Sequence, residues 1–351
     1  MNSNKTICLT FDWELFFRES GTPERCQLEP TDRLLNVSAE LGIPLVFFVD
    51  VMHLWRAEAI PAEDARNQNL KAQVRRMVRE GHRVELHLHP HWLDAEYRGD
   101  GQWVFPHYRR YRLQNLPDDQ VIDLMCQGAE YLNKLCGSEI PGYKVEAFRA
   151  GGWCIQPFAP AIQRGFLRAS IRIDSSVATG VHGDGTVHQF DFRKAPRENS
   201  WTFSDNPARA EPGAFIEIPI STFQQSFSKK LLRWKSFRSL NSADQRQLGD
   251  GKPMHIHTGA WMRWKRRLSA NVSMYSLERT SVEFMRKLIK ETLAERLVFI
   301  SHTKEMSQSS LDVLRWLHSE KHSFVNLTDI ASGENIRAKV ESNVSNANGK
   351  C

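Results

Sequence analysis

Short apolar runs of strand length recur along this chain, each followed by a stretch of helical periodicity. That alternation limits the fold more than any other feature. Residues 44–49 (PLVFFV) are continuously apolar, as expected of a strand buried on both faces of a parallel sheet. Residues 6–11, 83–87, 144–148, 169–173, 297–300 and 324–327 read as further strands. Residues 31–41, 67–80, 118–135, 157–164 and 309–318 carry helical patterns, the first capped by Thr31 and stopped by Gly42. Strand and helix in alternation predict an α/β fold with parallel strands, an open sheet or a barrel. No internal repeat is present. One domain over residues 1–335 is expected, with insertions near 94–116 and 183–270. Residues 336–351 form a polar, Asn/Ser-rich tail that reads as disordered.

Within this frame the densest chemistry is GHRVELHLHPHW, residues 81–92, which places His82, His87, His89 and His91 within ten positions. Arg83 to His87 alternates like a strand, and Pro90 should end it and bend the chain. The bend would fold His91 back toward His87, so that two imidazoles share one metal ion. Further charged residues follow other strands: Asp12 and Glu14 the first, then Arg149, Asp174 and His302. In parallel α/β folds the carboxyl ends of the strands meet at one mouth, where active sites gather. A second pair, His255 and His257, lies on one face of a strand-like segment after the turn at Gly249–Gly251. His257 competes with His302 for a proton-donating role or contacts substrate.

Composition excludes several classes. No apolar run of about 18 residues exists, so no spanning helix is expected. The N-terminus has no long apolar segment of the secretory type, and the six cysteines form no CxxC pair. Reduced thiols in the cytoplasm are therefore expected. The net charge of +6 favours acidic partners. Residues 226–240 and 261–268 interleave Lys and Arg with Trp, Phe and Leu, a composition that suits either the surface of an anionic membrane or a solvated basic face. No nucleic-acid-binding module is recognisable. The long connection 94–116 carries Trp103, Phe105, Tyr108 and Tyr111, rings on which a sugar can stack.

TFDWE, HLHPHW, FRAGGW, IDSS and FISH fall in the order of five motifs of the polysaccharide deacetylases, the NodB-like carbohydrate esterases. The chain resembles that family from about residue 8 to residue 331. The resemblance implies a distorted (β/α) barrel of about seven parallel strands and the removal of acetyl groups from acetylated sugars. It implies Asp12 as catalytic base, Arg149 as the residue holding that base, and His302 as general acid oriented by Asp174. It also implies a divalent metal held by Glu14, His87 and His91, with zinc expected first and cobalt, manganese, nickel or iron as alternatives. The sequence departs from the pattern at Trp13, where many members have a second Asp, and at Gly151-Gly152, where Pro-Tyr is usual. Gly152 can then offer only its backbone N–H to an oxyanion. Trp92, Tyr108, Trp153 and His257 are candidate substrate contacts. The expected substrate is an acetylated glycan, polymeric or lipid-linked, handled in the cytoplasm or at the inner face of its membrane. Two other readings remain open: a carbohydrate-binding or scaffolding protein without turnover, and an amidase of the amidohydrolase type suggested by the two His-x-His pairs.

Overall fold

A computed structural model describes residues 4–254 and 271–333. Seven parallel strands form its centre: β1 (Thr6–Trp13), β2 (Val46–Asp50), β3 (Arg83–Leu88), β4 (Ala147–Ala150), β5 (Ile173–Asp174), β6 (Phe215–Glu217) and β7 (Arg296–His302). Their spatial order is β6-β5-β4-β3-β2-β1-β7, and Trp201–Phe203 adds an antiparallel edge to β6. The sheet curls until its ends nearly meet. Ser221 donates its N–H to the Val298 carbonyl at 2.9 Å, and Tyr275 links Ser221 to Ile300. The result is a distorted (β/α) barrel, sealed along one seam by irregular backbone rather than by a ladder.

Strand alternation sorts the side chains into two layers. In β2, Phe47 and Val49 join the large cluster under the helices, whereas Val46 and Phe48 join the barrel interior with Cys8, Ala147, Ile173, Ile216 and Val298. A helix at Leu327–Gly333 contributes Leu327, Ile330 and Ala331 to that interior. Helices α1 (Glu29–Leu41), α2 (Val51–Glu58), α3 (Asp64–Arg79), α4 (Asp118–Gly137) and α5 (Pro160–Arg168) return the chain between the first five strands. Gly42 ends α1 at φ 65°, the left-handed cap that glycine adopts without strain.

Several boundaries differ from those expected. β6 lies inside the stretch read as an insertion, because three residues (Phe215–Glu217) are too short to show a period. The strand expected at 324–327 is only Ser323–Phe324, paired to β1 and followed directly by a helix. The 94–116 connection contains a small hairpin, Glu96–Gly99 with Gln102–Val104. The tail, the pair His255 and His257, and the basic segment 261–268 lie outside the described residues.

Candidate metal and hydrolytic site

Register decides which side chains meet. Asp12 on β1 stands opposite His302 on β7. Asp50, His87 and Arg149 are aligned across β2, β3 and β4. Because side chains alternate, Asp12 and Glu14 project inward from the end of β1 while Trp13 turns outward. Its indole donates to Gln73 on α3 at 3.1 Å. A second acid at position 13 would face the helix layer, so an Asp-x-Glu spacing is what delivers two carboxylates to one mouth.

Asp12 and Arg149 form the inner pair. The Arg149 guanidinium donates to Asp12 Oδ1 at 2.7 Å, to Thr10 Oγ1 at 2.9 Å and to the Ser175 carbonyl at 2.9 Å. Both residues are buried. Burial pushes the Asp12 carboxyl up, but Arg149, His87 and His302 outweigh it and hold the group below the usual carboxylate range. Asp12 Oδ2 faces His302 Nε2 at 3.7 Å.

Glu14 is the hub of the outer cluster. Its Oε2 lies 3.1 Å from His87 Nε2 and 2.7 Å from His89 Nε2. His87 donates its other ring N–H, Nδ1, to the Arg149 carbonyl at 2.7 Å, which directs Nε2 into the mouth. The His89 contact is close yet off the line of a hydrogen bond, and neither ring nitrogen of His89 has a hydrogen-bond partner. Burial lowers the His89 pKa to about 4, leaving a neutral ring with lone pairs available. Among the described residues, Glu14, His87 and His89 are the group able to share a metal ion. Two imidazoles and one carboxylate are a donor set suited to zinc, and the orphaned His89 nitrogens fit that occupant.

The structure does not bring His91 into this group. Pro90 starts a 3-10 turn, Pro90–Asp94, which carries His91 past the strand end. Its ring stacks on Tyr111 at 5.0 Å and meets Phe17 and Phe105 edge-on. His89, two residues beyond His87, takes the facing position by strand alternation.

His302 has a different orienting partner from the one expected. Asp174 accepts from Ser176 Oγ at 2.7 Å and lies beside Glu217, and burial pushes both carboxyls up. Glu278 instead accepts from His302 Nδ1 at 2.9 Å. Burial alone would lower the His302 pKa, but the Glu278 carboxylate overrides that and raises it to about 9. Lys304 adds a buried cation: its ammonium donates to Glu14 Oε1 at 2.7 Å and to the Leu15 carbonyl at 2.8 Å. Against the burial cost, Lys304 and the two imidazoles hold the Glu14 carboxyl well below its ordinary range.

These groups open on a cavity of ≈ 170 Å³ that Tyr111, Gly152, Trp153 and His188 also line. A larger cavity of ≈ 240 Å³, between Arg193, Ser221 and Arg296, contains no histidine or cysteine. Gly151 and Gly152 are required where they stand. A Cβ on Gly151 would come within 2.6 Å of His89 Nδ1, and one on Gly152 (φ 57°) within 2.5 Å of the Tyr111 hydroxyl. Trp153 lines the cavity, but Trp92 does not. Trp92 is fully buried and donates to Asp50 Oδ2 at 2.6 Å. Tyr108 donates its hydroxyl to the Phe17 carbonyl, away from the cavity wall.

Sequence reasoning left Lys304, Glu278 and His188 unassigned. Lys304 sat in the quoted FISHTKE segment. Glu278 and His188 arrive on loops with no local signature.

Residues 1–149 match the family described as polysaccharide deacetylase. That match takes in less than half of the 351-residue chain, and over it the chain is similar to the polysaccharide deacetylases. The match spans three of the converging strands and ends on Arg149, so it includes Asp12, Glu14, His87 and His89. The mouth is completed by β5 to β7, beyond the matched part. No curated protein matches the chain. Among solved structures, a Mycobacterium smegmatis protein assigned to the polysaccharide deacetylases is 13% identical. The alignment covers 97% of this chain and 92% of that one, with a TM-score of 0.49. The peptidoglycan deacetylase PdaC from Bacillus subtilis is 11% identical over 98% of each chain, with a TM-score of 0.40.

Proposed function

We propose that this protein is a metal-dependent hydrolase that removes the acetyl group from an N-acetylated sugar of a glycan. One observation carries the reading: Asp12 paired with Arg149, His302 beside it and the Glu14–His87–His89 set share a single cavity. Glu14, His87 and His89 would hold the metal, zinc being the first candidate. When bound, such an ion polarises an amide carbonyl and acidifies water.

The chain's own groups account for the proton traffic. Asp12 takes a proton from the attacking water through Oδ2, since Oδ1 is committed to Arg149. The Gly152 N–H is our candidate donor to the developing oxyanion. His302 then delivers the Nε2 proton to the sugar nitrogen as the C–N bond breaks, releasing acetate and the free amine. Glu278 accepts from Nδ1, fixing the tautomer that places the mobile proton on Nε2. Trp153, Tyr111 and His188 supply walls for a sugar ring. Asp174 is assigned to supporting the β4–β5 junction, because Ser176, which donates to it, also accepts from the Ala150 N–H.

A reducing, cytoplasmic setting belongs to the same proposal, on the ground that none of the six cysteines stands in a CxxC pair. Among the described residues no helix is long and apolar enough to cross a membrane. A second reading has one observation in its favour. Lys304 already neutralises Glu14, as would suit a carbohydrate-binding barrel without turnover. The two-metal amidohydrolase arrangement lacks a second ligand set among the described residues.

Metal analysis of the purified chain, followed by acetate release from N-acetylglucosamine oligomers, separates these readings. About one equivalent of metal and acetate release abolished by Asp12→Asn support the hydrolase. A metal-free protein that binds the oligomers without releasing acetate supports the binding reading.

A further inference from the structure

Helix α6 (Phe227–Arg238) is held to the body largely by polar contacts on its inner face, with Leu232 packed against the core. Lys229 pairs with Glu291 at 3.0 Å, Arg233 donates to the carbonyls of Glu278 and Arg279, and Ser236 accepts from Ser281 at 2.8 Å. Those contacts lay α6 antiparallel against a second helix, α7 (Val282–Glu291). The outer face carries Phe227, Leu231 and Trp234, exposed by 54%, 39% and 58%. They are spaced i, i+4 and i+7, a single stripe on a helix. Leu293 is 96% exposed and lies two residues beyond the Glu291 that holds Lys229. Four of the six large apolar side chains exposed among the described residues therefore belong to this one corner.

Charge identifies the occupant. The α6 sequence, FSKKLLRWKSFR, contains five cations and no acid. Lys235 and Arg238 are exposed and continue the apolar stripe at i+8 and i+11. A stripe of Phe, Leu and Trp flanked by Lys and Arg matches a bilayer interface: the rings enter the boundary between headgroups and acyl chains while the cations pair with anionic headgroups. A protein partner would call for a wider apolar area than one stripe plus a leucine, whereas interfacial insertion needs no more than this.

We propose that the outer face of α6, together with Leu293, seats this protein on an anionic lipid bilayer as a peripheral contact. The inference stands apart from the catalytic reading, since none of these residues lines the site.

Flotation of the full chain tests it, with phosphatidylcholine vesicles compared with mixed phosphatidylcholine–phosphatidylglycerol vesicles. The protein should float with the anionic vesicles alone, and salt should release part of it. F227S/L231S/W234S should abolish flotation while leaving the thermal unfolding midpoint unchanged, because these side chains are exposed. K235Q/R238Q should weaken partitioning by roughly 25-fold, about fivefold per cation. The proposal is overturned if the wild type stays behind with both vesicle types, or if the triple variant floats like the wild type. It is equally overturned if light scattering finds a dimer that the triple variant dissociates, since the face would then join two copies of this chain.

Discussion

Arg149→Met should be among the most damaging single substitutions in this protein, and the reason can be worked from the contacts. Asp12 and Arg149 are both enclosed, and the guanidinium satisfies Asp12, Thr10 and the Ser175 carbonyl at once. It also lies 4.1 Å over the ring of Phe48. Methionine fills much of the volume but leaves the Asp12 carboxylate buried without its cation. Breaking a buried pair in this way costs about 3–5 kcal/mol. The pH dependence has a definite sign. In the wild type the Asp12 carboxyl is held below its ordinary range, so the pair's contribution is present above the unfolded pKa and lost only in strong acid. Without Arg149, burial pushes the Asp12 pKa above its unfolded value, and protonation then favours the folded state. The deficit of the variant should therefore narrow as pH falls from 7 toward about 5. Urea unfolding of EDTA-treated protein at the two pH values measures this. R149M/D12N should lose less than the sum of the two single variants. An R149M deficit under about 1 kcal/mol at neutral pH, or one that widens on acidification, would refute the reasoning.

Three further outcomes follow from the site. His89→Ala should weaken zinc binding by more than about 100-fold, beyond what loss of an outer-shell partner costs, whereas His91→Ala should leave it nearly unchanged; calorimetric titration reads both. Gly151→Ala sets a methyl group 2.6 Å from His89 Nδ1 and 2.7 Å from the Leu88 carbonyl. It should cost about 1–3 kcal/mol in thermal unfolding and weaken zinc binding with it. Glu278→Gln removes the carboxylate that lifts His302 to about 9. Its acetate-release profile should lose activity at alkaline pH first, as His302 deprotonates nearer neutrality; an unshifted alkaline limb would remove Glu278 from the site.

Much of this arrangement was legible in the sequence because it rests on strand periodicity. The apolar run at Val46–Asp50 and the alternation of Arg83–Leu88 forecast two adjacent barrel strands. Spacing of two put Asp12 and Glu14 on one face. The same rule sets His89 beside His87, whereas the sequence reading pairs His87 with His91 by taking Pro90 as a returning bend. In the structure Pro90 opens a turn leading outward, and aromatic packing against Tyr111 and Phe17 captures His91. What stayed hidden depends on tertiary closure. Phe215–Glu217 is a strand only because Ile173–Asp174 offers it an edge. Glu278 reaches His302 from a loop whose Leu277 N–H is held by Ser301 Oγ. Such partners carry no local pattern, since their position is fixed by strands far away along the chain.

The most direct test of the central claim is an anomalous difference map at the zinc edge from crystals of the zinc-loaded protein. The account predicts one peak about 2.0–2.2 Å from Glu14 Oε2, His87 Nε2 and His89 Nε2, with Lys304 still on Glu14 Oε1. A peak bound by His91 in place of His89, or no peak at the mouth while Lys304 bridges Glu14 alone, would contradict it.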